Sequence, residues 1–221
     1  MSLKPIKVIE PEEPEIGSVD GLQTVAIEAV TDRSAHECVR FEGGDSPIRA
    51  GSVSLDQSLI DSNAFAGSTL ASATIKDCIF DHADLANATW AGARLVRTRF
   101  VGCRLTGFDL RHSELRDVVF VDCKMPDSLF METSLTRVRF DECQMTNQDI
   151  SGSTIESLAL SGCKAAGLRL DGARISLIDL RGSSIEGISL DARSADGVVI
   201  DPQQSPAIAA AMGVRVIDLH H

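Results

Sequence analysis

The sequence predicts an all-β rod in which short strands turn every five residues. Three observations carry this. First, every residue whose number is a multiple of five from Leu55 to Ile200 is apolar, 30 positions in a row in a chain whose apolar fraction is 43%. Independent draws would give such a run with a probability on the order of 10⁻¹¹. Second, the residue two before each centre is Ala, Ser, Thr, Cys or Val at 22 of those 30 places. Two inward residues then flank one outward residue, which is the alternation of a short strand. Third, 11 of the 17 glycines fall two residues after a centre, where a turn calls for a backbone that glycine adopts cheaply. A helix is excluded, because a step of five residues advances about 500° and the centres would bury no stripe. A flat sheet fails as well, since successive centres would alternate faces.

Stretches such as Ala83-Asp84-Leu85-Ala86-Asn87 and Ala93-Arg94-Leu95-Val96-Arg97 resemble the A-(D/N)-L-x-x motif of the pentapeptide-repeat family, and the resemblance covers about 148 residues. It implies a right-handed quadrilateral parallel β-helix with four pentapeptides per coil, hence about seven and a half coils over residues 53–200. At the ~4.8 Å spacing of neighbouring strands the rod would be about 36 Å long. Residues 20 apart then stack. One face reads Ile60, Phe80, Phe100, Phe120, Phe140, Leu160, Leu180, Ile200, with four stacked phenylalanines at its centre. Ala165 leaves room beside the larger Leu158, Leu168, Ile178 and Ile188, as a packed interior of constant volume requires.

Taken in chain order, residues 1–21 hold Pro5, Pro11 and Pro14 beside Glu10, Glu12, Glu13 and Glu15; so little apolar surface predicts a flexible acidic arm. Residues 22–52 predict an N-terminal cap and an irregular first coil, because a repeat array needs an atypical end to hide its open edge. The regular array spans 53–200. Residues 201–221 predict a cap or dimerisation segment: a short helix with Pro206 near its start and Gly213 past its end, then a strand from Val214. Ile208, Met212, Val214, Val216 and Ile217 exceed the needs of one small cap and predict a homodimer interface. This ending also resembles the MfpA-like quinolone-resistance branch of the family, through Val199-Ile200-Asp201-Pro202-Gln203-Gln204 and the alanine-rich stretch to Met212. The resemblance implies a dimer whose paired acidic rods mimic duplex DNA toward a gyrase.

Composition narrows the function classes. A net charge of −11, no tyrosine and one tryptophan disfavour direct nucleic-acid binding. No apolar run is long enough to span a bilayer, and the expected location is the cytoplasm. Cys103, Cys123, Cys143 and Cys163 stand 20 apart and read as buried small hydrophobes, with no Cys-x-x-Cys pair or histidine spacing for a metal. No nucleophile–base grouping and no phosphate loop is present, so neither an enzyme nor a cofactor is expected.

What remains are outward positions. Asp61, Asp81, Asp122, Asp141, Glu142 and Asp201 follow centres of the phenylalanine face and outline a broken acidic stripe. Val101 and Val121 interrupt it as a small apolar patch, and Arg94, Arg97 and Arg99 make one coil locally basic. The expected function is a non-enzymatic binding or scaffold rod acting on an unknown protein partner. The alternative is a DNA-mimicking regulator of DNA gyrase, a type II topoisomerase, conferring fluoroquinolone resistance.

Overall fold

From Val53 onward residues 20 apart pair in parallel, as in Val53↔Ala73, Leu95↔Leu115 and Leu135↔Ile155. One coil therefore consumes four pentapeptides and shows four faces. Two faces carry continuous strand ladders, with Ala73–Asp81, Arg94–Val101, Glu114–Val121 and Ser134–Asp141 each running round a corner from one to the next. The other two are tied by single bridges such as Asp84↔Arg104 and Thr89↔Asp109. The computed structural model describes residues 8–43, 47–61 and 65–215. They form a parallel β-solenoid of about nine turns with one short helix at the C-terminal end.

The solenoid starts earlier than the five-residue row. Gln23–Ala26 pairs with Val39–Glu42, which pairs with Leu59–Ile60, and Ser34–Glu37 pairs with Val53–Asp56. Residues 23–43 and 47–52 thus join the same parallel stack as the array, which lengthens the rod beyond the expected seven and a half coils. They were not legible as coils because Val25↔Phe41 and Phe41↔Ile60 span fewer than 20 residues and break the numbering.

Inside, the centre row from Leu55 to Leu170 is shut away from water, with Leu55, Phe80, Leu95, Phe120 and Met145 all at 0% exposure, and toward the C-terminal end Ile175, Ala195 and Ile200 are half-buried. Phe80, Phe100, Phe120 and Phe140 stack with centroids 4.7–4.8 Å apart and ring planes within 13° of parallel. The strand spacing thus sets the ring spacing, and each contact adds about 0.5–1.5 kcal/mol beyond the burial itself.

The row two before each centre holds donors as well as small side chains. The thiols of Cys103, Cys123, Cys143 and Cys163 donate to the carbonyls of Phe80, Phe100, Phe120 and Phe140 at 3.3–3.6 Å. Ser113, Thr133 and Ser153 do the same toward Trp90, Leu110 and Phe130. A buried hydroxyl or thiol is thereby satisfied. The turn place two after a centre is often left-handed: among the described residues thirteen non-glycine residues there, from Gln57 to Asn147, share the positive φ of the glycines. Eight of the thirteen are Asp, Asn or His, the side chains that tolerate this region best.

The end is closed by Pro202–Gln204, a 3-10 turn, running into the helix Ser205–Ala211. Asp201 accepts from the Gln203 N–H while the Gln204 side chain accepts from the Asp201 N–H, a capping box. The Gln204 amide also donates to the carbonyls of Leu180 and Ser183 at 2.6 and 2.7 Å, bolting the helix to the last coil. Ala207, Ile208 and Ala211 pack against the core, whereas Met212 and Val214 are 43% and 57% exposed. Val216 and Ile217 lie outside the described residues.

Candidate interaction surface

With the interior filled, chemistry is confined to the outward rows. The buried thiols are not nucleophiles: burial pushes the Cys78 pKa up to about 12. Cys123 and Cys143 are also pushed up to about 12, first by the neighbouring thiol of the stack and then by burial. Among the described residues no group of three His, Cys, Asp or Glu side chains is placed to hold a metal ion.

Two adjacent outward rows on the phenylalanine face change residue type every coil and return after two. At the corner the row reads Asp77, Arg97, Asp117, Arg137, Ser157; two residues further it reads Ile79, Arg99, Val119, Arg139, Ala159. In the corner row Arg97 clasps Asp77 through Nε and Nη2 at 2.6 and 2.7 Å, and Arg137 clasps Asp117 at 2.6 Å through each. The two carboxylates are 1% and 2% exposed. For Asp77, burial works against ionisation, but the Arg97 guanidinium and the Glu15 N–H outweigh it and hold the carboxyl below its usual range.

Onto these rows the N-terminal segment is laid. Instead of standing free as a flexible arm, it runs back along the rod, extended and without helix or strand from Val8 to Ser18. The Ile9 N–H donates to Ser157 Oγ at 3.3 Å, the Glu12 N–H to Asp117 Oδ1 at 3.0 Å and the Glu15 N–H to Asp77 Oδ1 at 3.0 Å. Glu10 pairs with Arg139 at 2.7 Å, and Glu13 with Arg99 at 3.0 Å. Val8, Pro11 and Pro14 are half-buried while the residues between them are exposed. Val119 points outward yet is only 4% exposed, because the arm passes over its coil between the Arg139 and Arg99 anchors. Beyond Val8 the same flank forms a cleft lined by Glu10, Arg139, Ala159, Asp179 and Arg181.

The residues singled out from the sequence fall differently. Asp61 faces Arg40 at 3.9 Å, Asp81 the His82 ring at 2.7 Å and Asp141 the Arg139 guanidinium at 2.8 Å. Asp201 caps the terminal helix and accepts from the Gly182 N–H at 3.1 Å. Asp122 and Glu142 are exposed. Four of the six members thus face a side chain or a backbone N–H group of the rod, and Arg181 stands in the same row. Val101 and Val121 stack in register and are half-buried. The local basic coil is neutralised by paired acids: Arg94 meets Glu114, Arg97 meets Asp77 and Arg99 meets Glu13. Overlooked in the sequence were Asp77, Asp117, Arg137, Arg139 and Ser157, whose signal is a 40-residue alternation rather than a five-residue row.

Comparison with known proteins agrees with the coil geometry. The family described as "Pentapeptide repeat region" matches residues 73–135 and 93–170. No curated protein sequence matches the chain. Among solved structures, one of QnrB1, described as a plasmid-mediated fluoroquinolone resistance protein, aligns at 17% identity over 89% of this chain and 98% of its own, with a TM-score of 0.44. HetL, from the cyanobacterium Nostoc and described as involved in heterocyst differentiation regulation, aligns at 14% identity over 82% of this chain and 92% of its own, with a TM-score of 0.43. The family match falls within the apolar row and its 20-residue coils, and residues 73–170 of the chain are a pentapeptide-repeat region.

Proposed function

We propose that this protein is a non-enzymatic interaction rod that binds other proteins through its outward rows. One observation carries the reading: the outward rows already hold a peptide segment, residues 9–15, by backbone contacts at Ile9, Glu12 and Glu15 and charge contacts at Glu10 and Glu13. A rigid solenoid that commits every inward residue to stacking offers such rows to a partner at almost no conformational cost. The test is capture of bound proteins from the source cells by the wild-type chain and by variants with one face at a time charge-reversed, Val121→Asp among them. A protein lost from one face variant and kept by the others supports the reading. An identical bound set for every variant, or none for any, overturns it.

The gyrase reading draws on the net charge of −11, but the pairing of Asp61 and Asp141 with the guanidinium groups of Arg40 and Arg139 argues against a DNA-like surface. An unchanged supercoiling activity at saturating protein would remove it. Pairing of two chains through the exposed Met212 and Val214 is a further part of this proposal, and sedimentation of Met212→Glu against wild type decides it. A cytoplasmic setting fits the free thiols.

A further inference from the structure

We propose that the flank bearing Asp77, Arg99, Asp117, Arg139 and Ser157 is a binding groove for extended acidic, proline-bearing segments read three residues at a time, and that the chain's own arm is its exchangeable resident. The ligand class is an acidic, proline-bearing stretch of another polypeptide. The inference rests on the interaction-rod reading and gives it a partner chemistry and a built-in competitor.

Arm and rod share a period. Three arm residues separate Ile9, Glu12 and Glu15, and 40 rod residues separate their acceptors Ser157, Asp117 and Asp77. Two coils rise about 9.6 Å at the spacing of parallel strands. Three residues of a polyproline-type chain rise about 9.3 Å. The two repeats are therefore commensurate: Glu12 and Glu15 meet buried carboxylates two coils apart, Glu10 and Glu13 meet guanidinium groups two coils apart, and Ile9 meets the Ser157 hydroxyl.

Within the triplet each position has its own task. Val8, Pro11 and Pro14 turn toward the rod, Ile9, Glu12 and Glu15 present the donating N–H, and Glu10 and Glu13 reach Arg139 and Arg99. Proline fixes the register. A slide of one residue in one direction puts Pro11 and Pro14, which have no N–H, opposite Asp117 and Asp77. A slide in the other direction puts the same prolines where Arg139 and Arg99 need a carboxylate. Only one alignment satisfies both rows.

The groove itself is chemically poised for such a chain. Asp77 and Asp117 are buried, already clasped by Arg97 and Arg137, and still offer Oδ1 to a passing N–H. Among the described residues, the one rod acid at ion-pair distance from either Arg99 or Arg139 is Asp141, beside Arg139. The rod thus presents a site of fixed polarity: acceptors in one row and guanidinium groups in the next.

Tethering makes the arm a competitor at an effective concentration in the millimolar range, so an external segment competes poorly while the arm is seated. The probe is a fluorescein-labelled synthetic peptide with the sequence of residues 7–17, titrated with the full chain and read by anisotropy. The Glu10→Arg, Glu13→Arg chain, whose arm no longer seats, is expected to bind the peptide at least tenfold more tightly than wild type. Adding Arg99→Glu and Arg139→Glu is expected to abolish that gain, and a peptide with one glycine inserted after Glu10 is expected to lose it. Equal binding by wild type and the arm-reversed chain, or binding indifferent to Arg99→Glu and Arg139→Glu, overturns the proposal. In unaltered protein, saturating peptide is expected to raise hydrogen exchange at Glu12 and Glu15; no change overturns the exchange of occupants. A doubled mass for wild type that halves on arm reversal would place the arm on a second copy and overturn the intramolecular competition. These readouts use purified components, so their outcome does not depend on whether any protein is captured from cells.

Discussion

Alkaline pH should dismantle this rod through its thiols. A cysteine in an unfolded chain ionises near pH 9, whereas Cys78, Cys123 and Cys143 in the coil resist until about 12. Cys163 is shifted in the same direction, chiefly by the Cys143 thiol beneath it and then by burial. The folded-state pKa is raised, so the contribution is complete below pH ~9 and drains away as pH climbs from ~9 toward ~12. Each such thiol costs about 1.4 kcal/mol per pH unit in that window. Acting together they remove a few kcal/mol by about pH 10, against the roughly 5–15 kcal/mol that a domain typically has. The chain contains no tyrosine and a single tryptophan, the fully buried Trp90. Urea midpoints followed by Trp90 fluorescence can therefore be set against thiolate absorbance free of phenolate. Cys78→Ala, which removes a thiol raised first by burial, should lower the pH slope by roughly one thiol's share, about 1.4 kcal/mol per unit. Stability that stays flat between about pH 8 and pH 10, or thiolate appearing near pH 9 while Trp90 is still buried, would refute the reasoning.

Three further outcomes follow from the packing. Phe120→Ala removes the middle ring of the stack that Phe100 and Phe140 flank at 4.8 Å. It should cost about 3–5 kcal/mol in urea unfolding, with a wild-type midpoint counting against the stack as a source of stability. Gln148 is fully buried and neither its amide nitrogen nor its oxygen has a hydrogen-bond partner; Gln148→Leu should stabilise by about 1–3 kcal/mol, and a loss would show the amide to be satisfied. At Gly197 an added Cβ would lie 2.8 Å from the carbonyls of Ile175 and Ser176 with φ at +85°, whereas at Gly182 it meets nothing within 4 Å with φ at +74°. Gly182→Ala should therefore cost about 1 kcal/mol, and Gly197→Ala at least about twice that; equal costs would mean the backbone yields freely there.

The coil was legible because its signal repeats in residue type. An apolar centre recurs at every fifth residue and a small residue stands two before it at 22 of 30 places, so the exceptions average out. The first two turns were not legible, since Val25, Phe41 and Ile60 occupy one face at uneven intervals and no fixed period can find them. Asp201 shows a different failure. Its spacing to Gln204 is the sign of a capping box, but Asp201 also falls in the row of the expected acidic stripe, and one side chain cannot serve both. The arm was hidden by composition. Prolines and glutamates without a core read as disorder, yet the ordering contacts come from the rod, 62 to 148 residues away in sequence.

A rod that repeats every coil has no address along its length, because a row alike in each coil lets any ligand slide. Address requires a longer period, and the alternation of Asp77, Arg97, Asp117, Arg137 supplies one of two coils. That choice also dictates the conformation of what binds. A helix rises about 1.5 Å per residue, so about 6.4 residues would span two coils, and successive anchors would rotate off the contact line. A β-strand covers the distance in three residues, but its side chains alternate with period two, so residues three apart face opposite ways. A polyproline-type chain has three residues per turn, which returns the same face to the rod at each two-coil step. The accumulated mismatch over three triplets stays below about 1 Å, within the range over which hydrogen bonds adjust. The prolines at 11 and 14 are therefore read by the flank twice, once for the conformation they impose and once for the N–H they lack.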